Sequence, residues 1–263
     1  MLLKLPSIED PRLSPYRNLK DRELARLQGR FIAESDLIVR RLISSSYPIE
    51  SVLVASRKAD ALASILPDSV PLYVLDEDQL NAVVGYAFHT GVLAVGIRKP
   101  PLSLHDVLNT HTSRSTLVVL PEITNSDNLG SLIRISSAFG ADAIILGPRC
   151  SDPFYRLSIR VSMGTIFSIP IIRSENLLTD LTQLHARFGY QTIATVLDPH
   201  AQNLDQTPPP RRLALLFGNE ATGLPADLIA ACDTRVTLPM LRGTDSLNVA
   251  VAAGIFLYHF TRE

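Results

Sequence analysis

The chain has 263 residues, 46% hydrophobic and 19% charged, enough to bury one large core or two modest ones as a soluble globular protein. A net charge of −1 excludes the bulk basic character that would announce a nucleic-acid partner. Two cysteines, Cys150 and Cys232, give neither a disulfide framework nor metal-ligand spacing and point to a reducing cytoplasm.

The stretch 1–6 is too short and too interrupted for a signal peptide. No apolar run before the last one is long enough for a membrane helix, and the last contains His259 and ends in charge. Residues 1–19 carry Pro6, Pro11 and Pro15 among scattered charge and read as an extended arm. Leu19, Leu24 and Leu27 then recur at helical spacing until Gly29. Arg12, Arg17, Lys20, Arg22, Arg26 and Arg30 form the densest basic region. They read equally as a grip on phosphates or as a solvated helix face with Asp21 and Glu23 interleaved.

Phe31 and Ile32 predict a short strand, 34–43 a helix and 44–48 a turn. Strands at 52–54, 72–74 and 92–97 alternate with helices at 58–66 and 76–83, which makes 20–99 a small α/β domain. Arg98-Lys99-Pro100-Pro101 leads into a linker over 100–114, because proline continues neither neighbour. From Pro100 onward every Lys/Arg position is arginine, which reads as compositional bias or as a set of planar forks for phosphate and carboxylate.

The second domain, 115–263, begins with an apolar strand at 117–120 and a polar loop through Asn128 and Gly130. A helix to about Phe139, a strand at 143–146, a helix at 154–163, a strand at 166–172, a helix at 177–188 and a strand at 192–196 follow. A loop with Pro208-Pro209-Pro210 leads to an apolar strand at 213–217, the loop Gly218 to Pro225, and a strand run ending in Leu238-Pro239-Met240. The last helix opens at Leu247. It is apolar almost all round, so it is expected to be buried, with Asp245 or Ser246 as its cap. Asn248 falls in its first turn, either as a simple cap residue or as a polar group at a ligand site. Such alternation predicts a mainly parallel sheet with helices on both faces and a ligand outside the carboxyl ends of the strands.

The usual nucleotide cradles, zinc signatures and nucleophile elbow are absent. The polar residues left at strand ends are Asn128, Arg134, Glu220, Ser246 and Asn248. Arg134 lies one turn beyond Gly130 and on its face, which leaves it room to extend. A cation beside an Asn, a Glu and a Ser suits orientation of a hydroxyl or phosphate and does not suit a nucleophilic triad. The other reading of Arg134 alone is a surface or interface salt bridge.

Three motifs in order, Asn128-x-Gly130-x-x-x-Arg134, Phe217-Gly218-Asn219-Glu220-x-x-Gly223-Leu224, and Pro239-Met240 with Ser246-Leu247-Asn248-Val249, resemble those of the SpoU/TrmH family of ribose 2′-O-methyltransferases in the SPOUT superfamily. Arg160-Val161-Ser162-Met163-Gly164 matches a segment common in that family, and the resemblance covers roughly 117–260. The first domain resembles, more loosely, a ribosomal-protein-like RNA-binding domain, through Phe31-Ile32-Ala33-Glu34 and His89-Thr90-Gly91.

The residues themselves offer no metal site; the resemblance implies a trefoil-knotted α/β domain, an obligate homodimer, and S-adenosylmethionine held by loops bearing Thr195, Gly218, Leu238, Met240 and Leu247. It implies that Arg134 contacts the target ribose or its phosphate, supported by Asn128. Glu220 would orient the catalytic groups, and Ser246 and Asn248 would complete the pocket. Arginine is an awkward base, its pKa ordinarily lying above ~12, so stabilisation of the developing alkoxide is the better role. Three positions depart from the pattern. Asn125-Ser126-Asp127 stand where many members have Asp-Pro-Gly, Ser35 stands where many have Gly, and Asp245 adds an acid near the cofactor loop. The implied reaction is methyl transfer to a ribose 2′-hydroxyl of structured RNA, with the extra domain favouring ribosomal RNA over tRNA. A cofactor-binding RNA-binding module without catalysis is the reading from another class.

Overall fold

The computed structural model describes residues 2–5, 7–17, 19, 29–108, 114–242 and 244–262. Lys20, Arg22 and Arg26 of the basic stretch, and the helix expected around Leu24 and Leu27, lie outside the described residues. The chain divides into two compact units, Met1–Pro100 with Phe154–Phe167, and Pro101–Pro153 with Ser168–Glu263.

The first unit is built on strands β1 (Leu2–Lys4), β2 (Arg30–Glu34), β3 (Ile49–Ala55), β4 (Leu72–Leu75) and β5 (Val92–Ile97), in the order β1-β4-β3-β5-β2. β4 runs parallel to β1 and β3, while β5 runs antiparallel to β3 and β2. Helices α1 (Asp36–Ile43), α2 (Ala59–Ala63) and α3 (Glu77–Val84) lie between strands. α1 buries Ile38, Val39 and Leu42 and places Arg40 and Arg41 in its last turn, where cations favour the helix dipole. Asp76 and Gln79 close a capping box on α3, and Gly85 ends it in the left-handed region.

The first residues are not a loose arm. Leu2–Lys4 is a sheet strand, and Leu13 and Tyr16 are fully buried against Leu53, Leu75 and Leu93. Nor does α1 begin at Glu34, which ends β2; Ser35 intervenes with φ 94° and ψ 154°, outside helical space.

Phe154–Phe167 contributes to this first unit through an aromatic cluster. Phe31 stacks with Phe167 at a centroid distance of 5.4 Å and meets Phe154 tilted at 5.2 Å, with Tyr47 edge-on at 5.8 Å. Arg156 pairs with Glu34 at 2.6 Å and donates to the Tyr86 hydroxyl at 2.9 Å. The helix here is shorter than the sequence suggests, Arg156–Val161, and Thr165–Phe167 form a 3₁₀ turn rather than strand.

The second unit contains α4 (Leu104–Leu108), β6 (Ser115–Leu120), α5 (Ser126–Ala138), β7 (Ala143–Leu146) and β8 (Ile171–Arg173). It continues with α6 (Leu177–Ala186), β9 (Gln191–Thr195), β10 (Gln202–Asn203), β11 (Arg212–Leu216), α7 (Ala226–Ala230), β12 (Thr234–Thr237) and α8 (Val249–Thr261). Its seven strands run in the order β10-β12-β9-β11-β6-β7-β8, each pairing parallel. β6 and β7 are buried at every position, as strands covered on both faces must be, and this explains their unbroken apolar sequence. β8 is short because Pro170, just before it, has no N–H for a ladder.

α5 packs along α8, with the Phe139 and Tyr258 rings edge-on at 6.3 Å and Ile135 facing Gly254. α8 departs from expectation at both its start and its outer face. It begins at Val249, and its cap is Asn248 rather than Asp245 or Ser246, because Asn248 Oδ1 accepts from Ala250 N. Ala250, Ala253, Phe256, Leu257 and Phe260 are buried, yet Val251 is 52% exposed and Tyr258 57% exposed, with Ile255 between them on the same face.

Candidate active site

Three loops of the second unit meet outside the carboxyl ends of β6, β11 and β12. The first follows β6. Asn125 caps α5, its side-chain oxygen accepting from Asp127 N at 2.7 Å and Asn128 N at 3.2 Å. The departure from Asp-Pro-Gly therefore keeps a working cap, since Asn and Asp serve equally well there. Asn128 is thereby fixed in the first turn of α5, with its side chain directed at the other two loops.

The second loop follows β11 and is closed on itself. Asn219 N donates to Gly223 O at 3.0 Å, and Gly223 N returns to Asn219 O at 2.9 Å. The Asn219 side chain accepts from Ala221 N and donates to Glu122 O at 3.3 Å, which ties this loop to the one after β6. Gly218 has to be glycine here. A Cβ would lie 2.3 Å from the Gly223 carbonyl carbon and 2.4 Å from Leu224 N, both backbone atoms that cannot swing aside. Glu220 stands on this closed loop, exposed.

The third loop ends at Asn248. Its oxygen caps α8, so its Nδ2 is left to donate, and it does so to Asn128 Oδ1 at 3.0 Å. Asn128 in turn donates from Nδ2 to Glu220 Oε1. The polarity of the chain Asn248–Asn128–Glu220 is set by the helix cap at one end and the acceptor-only carboxylate at the other.

Arg134 and Ser246 are exposed, and neither is engaged by a hydrogen bond or ion pair among the described residues. The structure thus joins three of the five expected polar residues and leaves these two on the surface. Thr195 ends β9 and donates from Oγ1 to Leu216 O at 2.7 Å, which links the carboxyl ends of β9 and β11. Gly218, Leu238 and Thr195 stand just at or beyond the ends of three adjacent strands, β11, β12 and β9, with Met240 half-buried and Leu247 exposed on the loop beyond. Leu238 also borders a cleft of ≈ 270 Å³ lined by Pro239, Ile255, Tyr258 and His259.

The sequence assigns no structural role to Asn219, Asn125 or Cys150. Asn219 lies within the second motif, and its Asn-x-x-x-Gly spacing is the signal for a closed turn. Cys150 Sγ accepts from Ile123 N at 3.2 Å and donates to Leu120 O at 3.0 Å, stitching the loop after β7 to that after β6. Burial pushes its thiol pKa up, so it is held as a neutral donor. Arg149 pairs with Glu122 at 2.6 Å on the same rim. Among the described residues no group of three His, Cys, Asp or Glu side chains is placed to hold a metal ion, and no helix is long and apolar enough to cross a membrane.

The family model described as the SpoU rRNA Methylase family matches residues 115–258. An uncharacterized tRNA/rRNA methyltransferase of Mycobacterium tuberculosis is 34% identical over 263 residues, covering 97% of this chain and 90% of its own. The 23S rRNA (guanosine(2553)-2′-O)-methyltransferase RlmP of Bacillus subtilis is 28% identical over 256 residues, covering 97% of this chain and 98% of its own. Among solved structures, the AdoMet-bound rRNA methyltransferase from Sinorhizobium meliloti superposes with a TM-score of 0.82 at 25% identity, covering 98% of this chain and 97% of that one. Three motif loops joined through Asn128, on an all-parallel sheet with this strand order, agree with these matches: the chain belongs to the SpoU methylase family.

Proposed function

We propose that this protein transfers a methyl group from S-adenosylmethionine to a ribose 2′-hydroxyl of structured RNA, with ribosomal RNA as the substrate class. The observation that carries this reading is the chain Asn248–Asn128–Glu220, which locks the three motif loops around one point. The name of the Bacillus subtilis relative supports ribosomal RNA as the substrate and the ribose as the position.

The residues at the three adjacent strand ends fit S-adenosylmethionine. Apolar Leu238, Met240 and Leu247 suit the purine. The backbone around Gly218 and Thr195 supplies neutral donors and acceptors, and Gly218 removes a side chain where the loop closes on itself. When bound, that cofactor supplies an electrophilic methyl group on a sulfonium. The protein's task is to present a poor nucleophile in line, and positioning contributes on the order of 7–11 kcal/mol to such steps in favourable cases. Arg134 holds the ribose or its phosphate and stabilises the developing alkoxide as the 2′-hydroxyl proton passes to solvent water. Asn128 and Glu220 fix the geometry beside it, and Ser246 closes the pocket. A trefoil knot in the second unit fits the insertion of β11 between β6 and β9.

The protein works as a homodimer in the cytoplasm. Support for the dimer comes from the uncovered apolar stripe of Val251, Ile255 and Tyr258 on α8, with Leu241 79% exposed nearby in sequence. Transfer of a radiolabelled methyl group to deproteinised rRNA, followed by digestion to nucleosides, tests the reading. It predicts label in a 2′-O-methylnucleoside, reduced at least about 100-fold by Arg134→Ala. Label on a base, or full activity in the variant, overturns it.

A further inference from the structure

The amino ends of the second unit's strands carry a feature that the site above does not use. Arg114 immediately precedes β6, Arg211 and Arg212 stand at the start of β11, and Gln191 opens β9. Because β9, β11 and β6 are neighbours in the sheet, these side chains converge on one cleft of ≈ 810 Å³, walled by Pro209 and Pro210. No acidic side chain lines it among the described residues.

Two of the three guanidinium groups donate to backbone carbonyls behind the cleft. Arg212 Nη1 donates to Phe188 O at 2.6 Å, and its Cζ lies 5.5 Å from the centre of the Tyr190 ring. Arg114 Nη2 donates to Phe260 O at 2.6 Å. A carbonyl orients a guanidinium without cancelling its charge, so the positive charge of Arg114 stays in the cleft. Arg211 is exposed and has no ion-pair partner among the described residues. Asp142, the nearby acid, is engaged by Ser115 Oγ and Thr116 N, each at 2.8 Å, and does not line the cleft. Three arginines lining one cleft in a chain of net charge −1, with Arg211 unpaired among the described residues and Arg114 held by a carbonyl, call for an anion, and oriented arginine forks match phosphate.

We propose that this cleft is a phosphate-binding site, filled by the backbone of the RNA at a point remote from the reacting ribose. β6 spans six residues, so the cleft lies roughly 20 Å from the carboxyl-end loops at about 3.3 Å per residue. Only an RNA folded to reach both ends of the sheet makes both contacts, which gives a preference for structured over single-stranded substrate. A free phosphate or nucleotide offers the same chemistry and is the other source of the ligand. The RNA source rests on the methyltransferase reading; the phosphate chemistry does not.

The test uses the full chain and three variants, Arg211→Gln, Arg211→Lys and the double Arg114→Gln/Arg211→Gln. Deproteinised rRNA binding is measured across a salt series, and thermal stability is measured with and without inorganic phosphate. The expected result for Arg211→Gln is an rRNA Kd raised about three- to tenfold and a salt slope smaller by roughly one, with S-adenosylmethionine affinity and melting temperature unchanged. Arg211→Lys keeps the slope, since the charge is retained. Stabilisation by inorganic phosphate that Arg211→Gln abolishes, with rRNA binding unaltered, assigns the site to a free phosphate ligand and overturns the RNA source. Because phosphate stabilisation is read without RNA or cofactor, it stands or falls apart from methyl transfer. The proposal is overturned if Arg211→Gln and the double variant leave rRNA affinity, salt slope and phosphate stabilisation all at wild-type values. Arg211→Gln alone decides if the double variant does not fold.

Discussion

Asn248 donates its side-chain nitrogen to Asn128 Oδ1 at 3.0 Å while its oxygen caps α8 at 2.9 Å to Ala250 N. One side chain therefore serves both helix stability and site geometry, and substitution separates the two. Asn248→Asp keeps the capping oxygen but loses the donor and sets a negative oxygen against Asn128. It is expected to melt within a degree or two of wild type and to lose at least about tenfold in kcat, or ~1.4 kcal/mol. Asn248→Ala loses the cap as well, at a cost of about 1 kcal/mol in stability. Melting curves beside single-turnover rates check the split; equal activity in Asn248→Asp would show that the contact does not position the site.

Ser35 sits at φ 94° and ψ 154°, a region that essentially only glycine occupies freely. Ser35→Gly is expected to stabilise the protein by about 1 kcal/mol, and Ser35→Val to destabilise it. Chemical denaturation followed by circular dichroism measures both, and a Gly variant no more stable than wild type would contradict the strain.

Gly218→Ala places a methyl group 2.3 Å from the Gly223 carbonyl carbon. The loop must open, and overpacking of this kind costs about 1–3 kcal/mol. Because the loop carries Glu220 and borders the residues proposed to hold the cofactor, S-adenosylmethionine binding by calorimetry is expected to fail while the fold persists.

Arg156 and Glu34 form a largely buried pair, with side chains 18% and 8% exposed. Arg156→Ala leaves the carboxylate buried without its partner and is expected to cost about 3–5 kcal/mol. The double variant Arg156→Met/Glu34→Leu is expected to recover most of that loss, which urea denaturation would reveal.

Burial raises both thiol pKa values, that of Cys232 to about 11. The thiolate is thus scarce below that range, and neither cysteine is expected to react with iodoacetamide at neutral pH until the protein is unfolded. Mass spectrometry of native and denatured samples after labelling reads this directly.

The alternation of strands and helices in the second unit was legible because β6, β7 and β11 are buried on both faces and so are written as unbroken apolar runs. The order in which those strands lie side by side was not, since nothing local encodes that β11 enters between β6 and β9. The association of Phe154 and Phe167 with the first unit was equally hidden, because the ring that gathers them, Phe31, is more than a hundred residues away. α8 misled for a different reason. An apolar residue that faces the core and one that faces outward look alike in sequence, so Val251 and Tyr258 passed for core. The five polar residues Asn128, Arg134, Glu220, Ser246 and Asn248 were legible as polar groups left at strand ends, and their roles and the cofactor residues came from motif resemblance. The structure adds the contacts among Asn128, Glu220 and Asn248, while the roles of Arg134 and Ser246 rest on the motifs.

The most direct test of the central claim is ribose-methylation mapping of total RNA from cells with the protein, without it, and with Arg134→Ala in its place. The account predicts one 2′-O-methyl position in ribosomal RNA that is present with the wild-type protein and missing in the other two. An unchanged map in all three, with the purified protein still binding S-adenosylmethionine and RNA, would contradict it and leave a binding module without catalysis.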